Sequence, residues 1–242
     1  MKIAVITPYY NESIFTLNQC IKSVEKQTYK DIHHFVVADG NPFDDMDDYT
    51  ANFTHISLPP CRDFGDTPRG VATAVAWAQG FDAVAYLDAD CWYHKDHIRT
   101  MVGVMKESGR DIITCPRKLY TSSGKFLAEC IESDGWTFND TNCFLFKRNV
   151  FGILSTWMFK DLNMCAVDDK VLWQAIQQFG IQTARSLRPT VNYTTTLAFH
   201  YQQHGKKIPK HAKVIADIGD GLKTYNYWEL HELQSAAVLQ VL

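Results

Sequence analysis

Two pairs of carboxylates stand out by type and spacing. In "AYLDADCWY" an apolar run ends in Asp88 and Asp90, one residue apart, and in "AVDDKVLW" Asp168 and Asp169 open a segment of helical period. Residues two apart in an extended strand point the same way, so Asp88 and Asp90 are expected to aim both carboxylates into one space at the strand's C-terminal end. Like charges that close need a counter-charge, and a hard divalent cation carrying a diphosphate supplies one. A plainer arrangement uses the same residues: Asp90 caps the next helix and Asp88 pairs with a lysine or arginine. On residue type alone, Asp168 and Asp169 are ordinary dipole partners at a helix start. His94 and His97 follow the first pair, but without a third ligand at useful spacing they read as solvated histidines at a helix start rather than as zinc ligands.

The elements that must position these residues alternate. A strand over Ile3 to Thr7 precedes a helix near Ser13 to Lys26; the strands "HHFVVADG" and "THISL" precede a helix from Pro68 to Gln79; then come "AVAYLDAD" and a helix from Lys95 to Ser108. This rhythm predicts an α/β fold with a mostly parallel sheet flanked by helices, with ligands at the strands' C-terminal ends. Beyond "DIITCPR" the pattern is irregular and aromatic-rich until a helix from Val167 to Phe179. "NPFDDMDDYT" lacks the glycine and glutamate spacing of a calcium loop and reads as a solvated loop. The final "YNYWELHELQSAAVLQVL" has helical period, with Trp228, Leu230, Leu233 and Ala237 near one face, suited to completing the core or packing a homodimer.

The 242 residues are expected to form one domain in three parts, 1–115, 116–200 and an extension over 201–242. A net charge of -3, with no run of like charges, argues against nucleic acid or a broad anionic membrane as partner. No apolar run approaches the roughly 18 residues of a transmembrane helix. Seven scattered cysteines with no C-x2-C spacing fit a reducing cytoplasm rather than a disulfide framework.

Taken in order, "ITPYYNES", "FVVADGN", "TPRGVATAVAWAQGFDAVAYLDAD" and "VDDKVLWQAIQQFG" resemble the family 2 glycosyltransferases of GT-A fold, from residue 2 to about 195. The resemblance implies a nucleoside-diphosphate sugar as donor, UDP-sugars favoured, a carbohydrate or other hydroxyl acceptor, inversion, and Mn2+ or Mg2+ as cofactor. It maps the nucleotide-holding loop onto Thr7, Pro8, Tyr9, Tyr10, Asn11 and Glu12, and the uracil-binding acid onto Asp39. Ala38 stands where the family usually has a first aspartate, Gly70 where it has an asparagine, and Cys91 where a further acid is frequent. By the same resemblance, Arg69, with Arg62 second, meets base or phosphate. Asp88 meets ribose or a metal-bound water, and Asp90 the metal. Asp169 becomes the general base with Asp168 its companion. Trp136, Asp140, Thr141 and Asn142 fall in the region that shapes the donor and acceptor pocket. His200 is a candidate distal metal ligand. No Q-x-x-R-W follows the base helix, so single-sugar transfer is expected over processive synthesis.

Two other classes fit parts of the pattern. A nucleotidyltransferase wants a glycine-rich basic loop after the first strand, which "TPYYNES" is not. A binding module without turnover would have no need of Asp88, Asp90 and Asp169 together.

Overall fold

The computed structural model describes residues 1–44, 46, 53–160, 164–165 and 168–214, in two compact units divided after Thr195. Half of the acidic "NPFDDMDDYT" loop, and the whole C-terminal segment read as a helix, lie outside the described residues.

In the first unit, β1 (Ile3–Tyr9) is buried at every position, as a strand covered on both faces must be. α1 (Ile14–Glu25) starts on Ser13, whose hydroxyl accepts the Thr16 amide at 3.2 Å. β2 (Ile32–Asp39), β3 (Phe53–Leu58), α2 (Asp66–Ala78), β4 (Ala83–Tyr86), β5 (Trp92–Tyr93) and α3 (His97–Ser108) follow, the last ending at Gly109 with φ 68°. The irregular half holds β6 (Ile112–Thr114), β7 (Arg117–Thr121), β8 (Phe126–Glu129), β9 (Phe144–Lys147), α4 (Ser155–Met158), α5 (Asp168–Gln178), β10 (Thr183–Arg185) and β11 (Val191–Thr195).

Seven strands form one sheet in the order β10-β6-β9-β4-β1-β2-β3, parallel except for β9. The α/β architecture read from the alternating pattern is therefore the one found. From β1 the chain crosses through α1 to β2 on one side and returns through β3 and α2 to β4 on the other. The crevice between the C-terminal ends of β1 and β4 is thus the switch point, where open sheets bind ligands. A second sheet, β5-β11-β7-β8, stands beside the β4 exit.

Two local expectations need correction. Asp88 and Asp90 do not lie on a strand. β4 stops at Tyr86, the Leu87 amide still reaches the Ile6 carbonyl at 3.0 Å, and Asp88 to Cys91 then form a turn closed by a 2.9 Å bond from the Cys91 amide to the Asp88 carbonyl. His97 is not solvated: it is fully buried, stacked on Tyr93 and bonded to the Thr190 hydroxyl at 2.8 Å.

β1 and β2 share a buried polar contact, Thr7 Oγ1 to His34 Nε2 at 2.8 Å. Burial lowers the His34 pKa to about 3, with His33 adding to the effect. The folded chain therefore binds one proton fewer than the unfolded chain below the ordinary histidine pKa. This stability is complete above about pH 6.5 and is lost progressively as pH falls toward 3. Roughly 2 kcal/mol should be gone by pH 5. Urea unfolding at pH 7.5 and 5.0 should show that slope, and His34→Gln should flatten it; an equal slope in the variant would assign the loss to other groups.

The second unit contains α6 (Ala198–Gln203) and a short return in which the Lys213 amide bonds the Thr196 carbonyl at 2.7 Å. No helix among the described residues is long and apolar enough to cross a membrane.

Candidate active site

The turn after β4 presents Asp88 and Asp90 in unlike settings. Asp88 is fully engaged: its amide donates to Asn142 Oδ1 at 2.6 Å, its Oδ2 accepts Asn142 Nδ2 at 2.7 Å, and its Oδ1 accepts Arg69 at 2.7 Å. Asp90 has no ion-pair partner among the described residues; the Cys91 thiol lies 3.3 Å from its Oδ1, and the Thr194 hydroxyl holds its carbonyl at 2.5 Å. Burial, and then the neighbouring Asp88 charge, push the Asp90 carboxyl up to about 7. An acid held in that state is short of a cation. Among the described residues Asp88 and Asp90 belong to no cluster of three His, Cys, Asp or Glu ligands. A cation seated on them would take its remaining ligands from phosphate oxygens and water.

Arg69, on the first turn of α2 and only 5% exposed, is the hub of the site. Besides Asp88, its guanidinium meets Asp168 at 3.5 Å, Asp66 at 3.6 Å and the Phe64 carbonyl at 3.1 Å. The fully buried Asp66 is also paired with Lys160. Although burial opposes its charge, the three carboxylates hold the Arg69 guanidinium firmly protonated. Its charged contacts are to protein carboxylates, and its buried Nε has no hydrogen-bond partner among the described residues. Arg62, the alternative, is exposed and held at φ 60°.

Around the end of β1, the nucleotide-loop candidates divide. The side chains of Thr7 and Tyr9 face the interior: Thr7 bonds His34, and Tyr9 stacks on Phe43 with its hydroxyl 2.9 Å from His55. Pro8 is buried and packs where any side chain on Gly65 would stand. Tyr10 is 47% exposed, and its amide donates to Glu12 at 2.8 Å. At the end of β2, Asp39 uses one carboxylate oxygen to accept the Cys61 amide at 2.6 Å, which draws the β3–α2 connection over this edge.

On the far side, α5 begins at Asp168, whose carboxylate accepts the Asp169 amide at 2.8 Å; Asp169 in turn accepts the Lys170 amide at 2.8 Å. Both carboxylates meet amides in the first turn of α5, where the helix dipole favours negative charge. Burial, against the pull of Arg69, pushes Asp168 up to about 7, and burial with the nearby Asp168 and Asp140 raises Asp169 well above the carboxylate range. Asp140 is buried, paired with Arg117, and caps the turn containing Thr141 and Asn142. Asn142 ties this turn to the site, its Nδ2 reaching Asp88 at 2.7 Å and Asp140 at 2.9 Å, while Thr141 is buried beside it. Trp136 instead projects, 78% exposed.

Sequence reasoning missed Asp66, Lys160 and Arg117. Arg117 alone carried a signal: it occupies an inward position of β7, buried and stacked over Tyr193 at 4.1 Å. His200 lies on α6, in the second unit.

The family model for glycosyl transferase family 2 matches residues 4–162. The chain belongs to glycosyl transferase family 2. Glycosyltransferase GlyA of Streptococcus pneumoniae is 27% identical over 124 residues, covering 46% of this chain and 16% of that protein. Crystal structures of S. aureus TarS share the fold. The 1–349 fragment in complex with UDP aligns with TM-score 0.63 and 16% identity over 84% of this chain and 63% of that one. The same fragment in complex with UDP-GlcNAc gives 0.59 and 14% over 89% and 62%. The chain thus spans a small part of the pneumococcal relative and less than two thirds of the TarS chains.

Each departure from the family 2 pattern has a local reason. Ala38 is fully buried beside Tyr9, Leu17 and Ala89, where an acid would lose its hydration. Gly70 faces Met158 so closely that any added Cβ would displace it. Cys91 packs in the core and turns its thiol to Asp90, so the small residue closes the wall behind that carboxylate.

Proposed function

We propose that this family 2 chain transfers a single sugar from a nucleoside-diphosphate sugar, a UDP-sugar by preference, to a hydroxyl acceptor with inversion. One observation carries the reading: Asp88 of the donor-side turn and Asp168 of the acceptor-side helix contact the same guanidinium, which sets two distant acid pairs at the two sides of one site.

Asp90, with Asp88 beside it, would hold Mn2+ or Mg2+, and that cation would neutralise the charge arriving on the departing diphosphate. Asp39 keeps one oxygen for a uracil N3–H, Tyr10 offers its exposed ring, and Arg62 is the cation near this edge for phosphate. Asp169 takes the acceptor hydroxyl proton while that oxygen bonds the anomeric carbon. The anomeric carbon–oxygen bond breaks on the opposite face, and its electron pair leaves with the diphosphate. The TarS complexes with UDP and UDP-GlcNAc, on the same fold, support a nucleotide-sugar donor here. The buried thiols Cys20, Cys91, Cys115 and Cys143 suit a reducing compartment such as the cytoplasm.

A thermal-shift panel of UDP, GDP and dTDP with and without Mn2+ or Mg2+ tests the donor side. UDP with metal should raise the midpoint by several degrees in the wild type and not in Asp90→Asn, since only ligand bound to the native state stabilises it. Absence of any metal-dependent shift from all three nucleotides would end the reading.

A further inference from the structure

The second sheet meets the turn of Asp88 to Cys91 from two of its strands. On β11, the Thr194 hydroxyl holds the Asp90 carbonyl at 2.5 Å. On β7, Arg117 stands opposite Val191 of β11 and is buried. Its side chain is gripped along its length. The guanidinium lies 4.1 Å over the Tyr193 ring, Nε donates to Cys130 Sγ at 3.3 Å, and the two terminal nitrogens go to Glu132, at 3.4 Å, and to Asp140.

From Asp140 a line of hydrogen bonds runs back to the turn. While its Oδ2 meets Arg117, its Oδ1 accepts the Asn142 amide at 3.0 Å and Asn142 Nδ2 at 2.9 Å. Asn142 Nδ2 also donates to Asp88 Oδ2 at 2.7 Å, and Asn142 Oδ1 accepts the Asp88 amide at 2.6 Å. Both donors of the Asn142 side chain are then spent on carboxylates, and reversing the amide would set its oxygen against both of them. The arrangement needs Asp140 as a charged acceptor. Burial pushes the Asp140 carboxyl above its usual range, and the Arg117 charge pulls the other way.

We infer that Arg117 is a positioning residue for the donor side: acting through Asp140 and Asn142, it fixes the turn that carries Asp88 and Asp90. In this role Asp140 and Asn142 support an acid rather than touch a sugar. What the turn is held for rests on the transferase reading, and the test separates the two.

Calorimetric titration of UDP, with Mn2+ and with EDTA, probes the turn in the absence of donor sugar and acceptor, so a sugar contact of Asp140 does not enter. The variants are Arg117→Lys, Arg117→Met, and Arg117→Met combined with Asp140→Asn. Arg117→Met should lower the affinity gained from Mn2+ about tenfold and leave UDP binding in EDTA unchanged. Arg117→Lys, which keeps the charge without the planar fork, should recover part of that gain. The combined variant removes both buried charges and should melt close to the wild type. It still lacks the charged acceptor for Asn142, so its Mn2+ gain should stay about tenfold down. A merely structural role predicts the opposite, since restored stability would restore the gain. The relay is overturned if the combined variant shows the wild-type Mn2+ gain, or if binding in EDTA falls in the same proportion. If the wild type itself gains nothing from Mn2+, the transferase reading falls, and a double-mutant cycle in urea judges the relay alone. Arg117→Met with Asp88→Asn should then give an unfolding constant about fivefold away from the product of the single effects; effects that simply multiply would overturn the relay.

Discussion

Arg69→Ala is expected to destabilise the first unit by about 3–5 kcal/mol, because it strips the cation from a buried group of carboxylates. Asp66 is fully buried, Asp168 is 15% exposed, and both lie with Asp88 around the one guanidinium. Lys160 would still face Asp66, but nothing else among the described ion pairs neutralises Asp88 or Asp168. For a chain of this size the melting temperature should fall by about 10 °C. Arg69→Lys should recover part of that: the charge returns, but one ammonium cannot reach two sides as a planar fork does. Chemical denaturation with UDP titration decides between the roles. A variant of wild-type stability with weakened UDP binding would make Arg69 a ligand contact instead of a strut.

Asp169→Asn should lower sugar transfer about 10²–10⁴-fold, the usual contribution of a positioned base, while UDP still stabilises the protein. Asparagine keeps the shape and can still accept the Lys170 amide, so the helix start survives. The pH profile is the sharper readout. A base must be deprotonated to act, and burial with two neighbouring carboxylates raises the Asp169 pKa. Transfer should therefore decline as pH falls through that raised value, well before ordinary carboxylates protonate, and the limb belongs to the Asp168–Asp169 pair. A variant that transfers at the wild-type rate, or a profile flat from pH 8 to 5, would remove Asp169 from this role.

Much of this architecture was legible because it repeats a simple rhythm. A buried apolar strand, a capped helix and a glycine stop leave unambiguous marks, and β1, α1 and α3 fall within a few residues of where those marks put them. The acid pairs were visible too, as residue types at chain positions where strands and helices change over. What the sequence did not show is who neutralises whom. The Asp88–Asn142 pairing spans 54 residues and the Arg69–Asp168 contact nearly twice that, and no local periodicity encodes a partner so distant. The turn at Asp88–Cys91 was hidden for a different reason: alternation along "AYLDAD" continues smoothly while the backbone stops being a strand. An arginine beside a sheet edge carries the same letter whatever it meets, so the three carboxylates around Arg69 were not legible either.

The division of labour within the acid pairs bears on how this site can change over evolutionary time. Asp88 and Asp168 are bound to Arg69, so folding alone requires them, whatever becomes of activity. Asp90 and Asp169 make no ion pair among the described residues, and on the proposed reading their value lies in the chemistry. If the proposed transfer is the activity, a lineage that lost it would drift first at those two positions, while its companion aspartates and Arg69 stayed in place to keep the fold.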